Sequence, residues 1–192
     1  MINNHLKLPP LPANGKILAF GDSLTAGWSF PAATSYPALL AKYSGLEVIS
    51  SGIPGEMTEQ GLYRLSGDLT AHKPDLLILC HGANDILQGV PPKIILANLT
   101  AMVELAHSAN CAVLLVAVPR FNPDTEPAKF YRQIADSYNI PLEERALTTI
   151  VSNSTMVIDI VHPNPLGYQY LAQALLARLV ECGLLEKDTA QD

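Results

Sequence analysis

The chain has 192 residues, a formal charge of −6, and only 16% charged side chains, against an ordinary ~25%. Twelve basic residues against eighteen acidic ones leave no basic excess to neutralise phosphates, which argues against nucleic acid or an anionic membrane surface as partner. The length suits a single domain over 1–192, with a lead-in at 1–14 and a polar tail at 187–192 as peripheral pieces.

After the proline-rich Pro9–Pro12, Lys16–Phe20 is a short apolar run that ends at Gly21 and predicts the first strand. Ser35–Tyr43 predicts a helix, and Glu47–Ile49 a second strand. Thr58–His72 is the next helix, with Thr58 as a candidate N-cap. Asp75–Cys80 is a third strand. Pro92–Ser108 places Ile95, Leu99, Met102, Leu105 and Ala106 at helical spacing. Ala112–Val118 is a fourth strand, followed by weaker helices at Glu126–Tyr138 and Leu142–Val151. Thr155–Ile158 predicts a fifth strand. Pro165–Cys182 is the last helix, capped by Asn164 and closed by Gly183. Continuous rather than alternating apolar runs suit parallel strands covered on both faces. The β-α rhythm therefore predicts an α/β fold, a five-stranded parallel sheet between helices, with right-handed crossovers.

Cys80, Cys111 and Cys182 are odd in number and widely spaced, so they read as buried thiols rather than a disulfide framework or a zinc site. The first residues lack the basic start, apolar stretch and cleavage site of a signal peptide. No run approaches the ~20 apolar residues of a membrane span. The expectation is a cytoplasmic protein, or a periplasmic or secreted one if a signal has been trimmed, with no integral membrane segment.

Ligands of open parallel sheets bind beyond the carboxyl ends of the strands. Four predicted strand ends carry small or polar residues: Gly21–Thr25, Ser50–Gly55, His81–Asp85 and Asp159–Pro163. The fourth strand's end, Pro119–Pro123, offers no acid-base pair. Ser23 is a candidate nucleophile, and a serine hydroxyl needs a base. Of five histidines, His5 lies in the lead-in and His72 at a helix end, while His81 is a possible pocket residue. His107 reads as half of a solvated pair with Glu104 on a helix. His162 sits three residues after Asp159, so a carboxylate can hold one ring nitrogen and leave the other to face a serine. Alone, Ser23 also fits a helix cap, and the Asp159/His162 pair a surface ion pair or half a metal site. The Ser23 and Gly55 amides and the Asn84 side chain are candidate oxyanion donors. Gly55 and Asn84 equally fit ordinary turns.

Gly21-Asp22-Ser23-Leu24, Gly52-Ile53-Pro54-Gly55, Gly82-Ala83-Asn84-Asp85 and Asp159-Ile160-Val161-His162-Pro163 together resemble the SGNH (GDSL) hydrolase superfamily. The resemblance runs in order from Ile17 to about Tyr168 and is nearest the bacterial thioesterase I, arylesterase and lysophospholipase group. It implies a flavodoxin-like three-layer α/β/α fold. It also implies ester or thioester hydrolysis by Ser23, His162 and Asp159, with Gly55 and Asn84 in the oxyanion hole. Ser50 stands where the family usually has asparagine, and Ala83 where that group has a second glycine.

The expected activity is a two-step serine hydrolysis of small to medium acyl esters or thioesters, with Trp28, Phe30 and Pro31 as candidates to line the acyl site. It calls for no metal or organic cofactor. The expected partner is a small-molecule substrate, with the chain as monomer or homodimer. Two alternatives remain at this point: a carbohydrate O-acetylesterase, and a non-catalytic flavodoxin-like binding domain. A nucleotide-binding version of the latter lacks any Gly-x-Gly-x-x-Gly or Walker loop.

Overall fold

Five consecutive residues of Leu76–Cys80 are fully buried, and this run is the middle strand of a parallel sheet. The computed structural model describes residues 6–121 and 125–186. His5, Asn122–Asp124 and Lys187–Asp192 lie outside the described residues. The strands are β1 Lys16–Gly21, β2 Glu47–Gly52, β3 Leu76–Cys80, β4 Ala112–Val116 and β5 Leu142–Glu143, in the order β2-β1-β3-β4-β5. That is the flavodoxin-like order, and every pair is parallel.

The helices are α1 Ser23–Ala26, α2 Tyr36–Ser44, α3 Thr58–His72, α4 Ala83–Leu87, α5 Pro92–Ser108, α6 Lys129–Tyr138, α7 Ala146–Val151 and α8 Pro165–Glu181. The strand order reverses direction after β2, so right-handed crossovers put helices on opposite faces. α8 packs between α2 and α7 on one face, and α5 between α3 and α6 on the other. The switch of direction falls between β1 and β3, where a doubly wound sheet opens its crevice.

The fifth strand is Leu142–Glu143, not Thr155–Ile158. Leu142 and Glu143 pair with Leu115 and Val116, and the Glu143 carboxylate then accepts the Arg145 and Ala146 amides to start α7. The helix expected over Leu142–Val151 thus begins only at Ala146. With the sheet edge taken, Thr155–Ile158 forms a turn whose Val157 bridges back to Pro163. At the start of α3, the N-cap is Met57 and not Thr58. The Thr58 amide and hydroxyl both donate to the buried Asp85 carboxylate, at 2.9 and 2.6 Å. α6 starts at Lys129 rather than Glu126, because Pro127 bridges to Pro119. Asn164 caps α8 as expected, accepting from the Leu166 and Gly167 amides.

Glycine is required where the strand ends converge. A Cβ on Gly21 would lie 1.9 Å from the Cys80 carbonyl oxygen, and one on Gly52 2.3 Å from the Ala26 nitrogen. Gly67, on the exposed face of α3, meets nothing within 4 Å. Gly21→Ala should therefore destabilise the protein by about 3 kcal/mol. Gly67→Ala should stabilise it by ~0.5–1 kcal/mol, as expected for an exposed helical glycine. Urea unfolding of the two variants measures both; equal effects would contradict the packing described.

Candidate active site

β1 ends at Gly21, level with Gly52 of β2 and Cys80 of β3. The segments leaving these three strands are thereby neighbours. Asp22 turns the chain from β1 into α1: its Oδ1 accepts the Leu24 amide at 3.0 Å. Ser23 is the first residue of α1 and is buried. Gly27, at φ 81°, ends this single turn in the left-handed region that glycine favours. Among the described residues the other Asp22 oxygen is buried with no hydrogen-bond partner, and burial raises the acid's pKa.

The turn bridged by Val157 and Pro163 carries Asp159 and His162 over α1. Asp159 Oδ1 accepts the Val161 and His162 amides, both at 2.7 Å. Its Oδ2 meets His162 Nδ1 at 2.7 Å. The other ring nitrogen, Nε2, lies 3.0 Å from Ser23 Oγ. A carboxylate on Nδ1 keeps the proton there, so Nε2 is left as the acceptor for the serine proton. Burial works to raise the Asp159 pKa, but the His162 amide and ring and the Val161 amide outweigh it and hold the acid below its ordinary value.

After β2, residues Ile53–Glu56 make a turn in which the Glu56 amide donates to the Ile53 carbonyl at 3.1 Å. Pro54 in second place and Gly55 at φ 81° in third fit type II geometry, which demands a positive φ there. After β3, Gly82 at φ 108° opens α4, which carries Asn84. Asn84 Nδ2 donates to the Glu56 carbonyl at 3.0 Å, joining the two segments. Among the described residues, neither the Ser23 nor the Gly55 amide donates a hydrogen bond.

The sequence-selected residues thus converge, although Asp159 and His162 arrive on a turn and not on a strand end. His81 does not line a pocket; it is fully buried beneath the site. His107 and Glu104 do not pair: Glu104 accepts the Tyr138 hydroxyl, and His107 lies against the Tyr138 ring. The Trp28 indole sits 6.0 Å from the His162 ring and is half-exposed, whereas Phe30 packs against the core. Sequence reasoning assigned no role to Glu56, Arg64 or Asp85. For the first two, the available signal was an acid directly after Gly55 and an arginine two turns further along. Among the described residues, no group of three or more His, Cys, Asp and Glu side chains is placed to hold a metal. No helix among them is long and apolar enough to cross a membrane.

Because the folded pKa of Asp159 is depressed, its stabilisation is fully present above the ordinary value of 3.8 and is lost as pH falls through the folded value. A carbon-13 titration should find the Asp159 midpoint below 3.8. His162→Ala should raise it. An unchanged midpoint in that variant would show the pair to be uncoupled.

A family model described as the GDSL-like lipase/acylhydrolase family matches residues 19–170. The chain is 33% identical to an arylesterase of Vibrio mimicus over 180 residues, which cover 88% of this chain and 90% of that one. It is 28% identical to thioesterase 1/protease 1/lysophospholipase L1 of Escherichia coli strain K12, over 85% and 82% of the two chains. Its fold is similar to the crystal structure of the psychrotrophic esterase EstA from Pseudoalteromonas sp. That match has a TM-score of 0.76 and 27% identity, and covers 86% of this chain and 96% of that one. The chain belongs to the GDSL-like lipase/acylhydrolase family and is an ester-hydrolysing enzyme.

Proposed function

We propose that this enzyme hydrolyses carboxylic esters or thioesters of small to medium acyl groups through an acyl-enzyme on Ser23. The observation that carries the reading is the relay from Ser23 Oγ to His162 Nε2 at 3.0 Å and from His162 Nδ1 to Asp159 at 2.7 Å. His162 takes the serine proton as Oγ attacks the acyl carbonyl. The same proton then goes to the leaving alcohol or thiol. Water, deprotonated by His162, attacks the ester on Ser23 and releases the acid. Asp159 holds the ring's orientation and stabilises the imidazolium. The free Ser23 and Gly55 amides and the Asn84 amide group are the donors for the negative oxygen of each tetrahedral intermediate.

The surroundings support a neutral, apolar acyl group. Trp28, Ile53, Leu87, Ile158 and Ile160 are large apolar side chains left exposed, and each lies on a segment that carries a site residue. Esters and thioesters are also the bonds named for the relatives, as arylesterase and as thioesterase and lysophospholipase.

Purified enzyme should release nitrophenol from p-nitrophenyl acetate and should be labelled by a fluorophosphonate. Ser23→Ala should abolish the label and lower turnover at least ~10³-fold. Release that survives this substitution would refute the assignment. Across a series of p-nitrophenyl esters, short and medium chains should outrun the dodecanoyl ester; a dodecanoyl maximum would refute the acyl preference.

A further inference from the structure

Behind the proposed oxyanion donors lies a cluster of charged and polar side chains that the hydrolysis itself does not use. Glu56 is buried and touches both donors through its main chain: it follows Gly55 in sequence, and its carbonyl accepts Asn84 Nδ2. Its carboxylate is gripped from two sides. Arg64 donates to it in a two-pronged pair, Nε to Oε1 at 2.9 Å and Nη2 to Oε2 at 2.7 Å. His81 Nε2 meets Oε2 at 3.1 Å.

Each gripping residue is itself anchored to the strand ends that form the site. Arg64 Nη1 donates to Asp68 at 2.6 Å and to the Ser51 hydroxyl, and Nη2 to the Ser51 carbonyl. The guanidinium also lies 4.0 Å above the Phe20 ring, and Phe20 and Ser51 are paired across β1 and β2. His81 directly follows β3. Its Nδ1 accepts the amide of Gly82, the residue that opens the helix carrying Asn84. With Nδ1 as acceptor, Nε2 carries the proton that Glu56 receives. Its carbonyl takes the Tyr131 hydroxyl at 2.8 Å. α3 closes against the ring through Gly61, where a Cβ would lie 2.4 Å from His81 Nε2.

Burying an ion pair is a weak route to stability, since desolvation offsets much of the attraction. Such a pair does fix geometry, because a planar guanidinium meets a carboxylate in one orientation only. We propose that the Arg64–Glu56–His81 cluster positions the oxyanion hole, clamping the Glu56 main chain so that the Gly55 amide and the Asn84 side chain point to the same oxygen. Glu56, Arg64 and His81 are positioning residues; none of them touches the reacting atoms. Burial works to raise the Glu56 pKa, but hydrogen bonds from His81 and Arg64 overcome it and bring it down to about 2, so the clamp is charged at every working pH. The inference rests on the oxyanion reading of Gly55 and Asn84 given above.

A double-mutant cycle on p-nitrophenyl ester turnover tests it, using Glu56→Gln, Asn84→Ala and the pair. Glu56→Gln keeps the shape and removes the charge. It should lower kcat about tenfold, part of the ~10²–10³ that loss of one whole donor costs, with KM within about threefold. In the Asn84→Ala background the same substitution should cost less, because one of the two donors it positions is already gone and only the Gly55 amide remains to be held. Arg64→Lys, which keeps the charge and loses the fork, should behave like Glu56→Gln. Unchanged kcat in both variants, effects that simply multiply with Asn84→Ala, or unfolding of both variants would overturn the proposal. If Asn84→Ala alone leaves kcat unchanged, it is the oxyanion reading that fails.

Discussion

Gly21 lies level with Gly52 and Cys80, and the backbones there approach so closely that no Cβ fits between them. Everything at the site depends on that approach. It sets three departing segments side by side: the single turn that begins with Ser23, the type II turn that exposes the Gly55 amide, and the short helix that carries Asn84. The reversal of strand order supplies the crevice at the same place. A fourth segment, the turn with Asp159 and His162, closes over Ser23 from the edge of α8 and completes the chain of contacts from Ser23 through His162 to Asp159.

Two kinds of polar interaction then divide the work. The Asp159–His162–Ser23 relay is open to solvent at one end and, in the proposed reaction, moves protons. The Arg64–Glu56–His81 cluster sets the buried Glu56 and His81 against a partly exposed Arg64, keeps the Glu56 carboxylate charged, and moves nothing. The first needs a base that can gain and lose a proton, so its acid partner is held by backbone amides that keep it ionised. The second needs an orientation that survives turnover, so it uses the fixed fork of an arginine. The chain's low charge content fits this arrangement. β3 is fully buried, and several of the charges near the site are already paired with one another.

What could be read from the sequence follows from how local each signal is. β1, β3, β4, α5 and α8 were legible because uninterrupted apolar runs, helical spacing and the Asn164 cap act over a few residues. The convergence of Ser23, Gly55 and Asn84 was legible because each lies only a few residues beyond a strand end. β5 was not, since two residues carry no periodicity, and the better apolar run at Thr155–Ile158 competed for the assignment. That error did not lose Asp159 and His162, whose spacing of three residues holds on a turn as well as after a strand. The cluster behind the proposed oxyanion donors escaped because its pairing is set by the phase of α3 against β3. Gly61 records that phase only once the two elements are packed.

The central claim is covalent: the acyl group passes through Ser23. Rapid quenching during turnover of a p-nitrophenyl ester, followed by peptide mass spectrometry, tests it most directly. The account predicts one acylated peptide, the one containing Ser23, with acylation lost in Ser23→Ala. Turnover with no acylated peptide, or an acyl group on another residue, would contradict it.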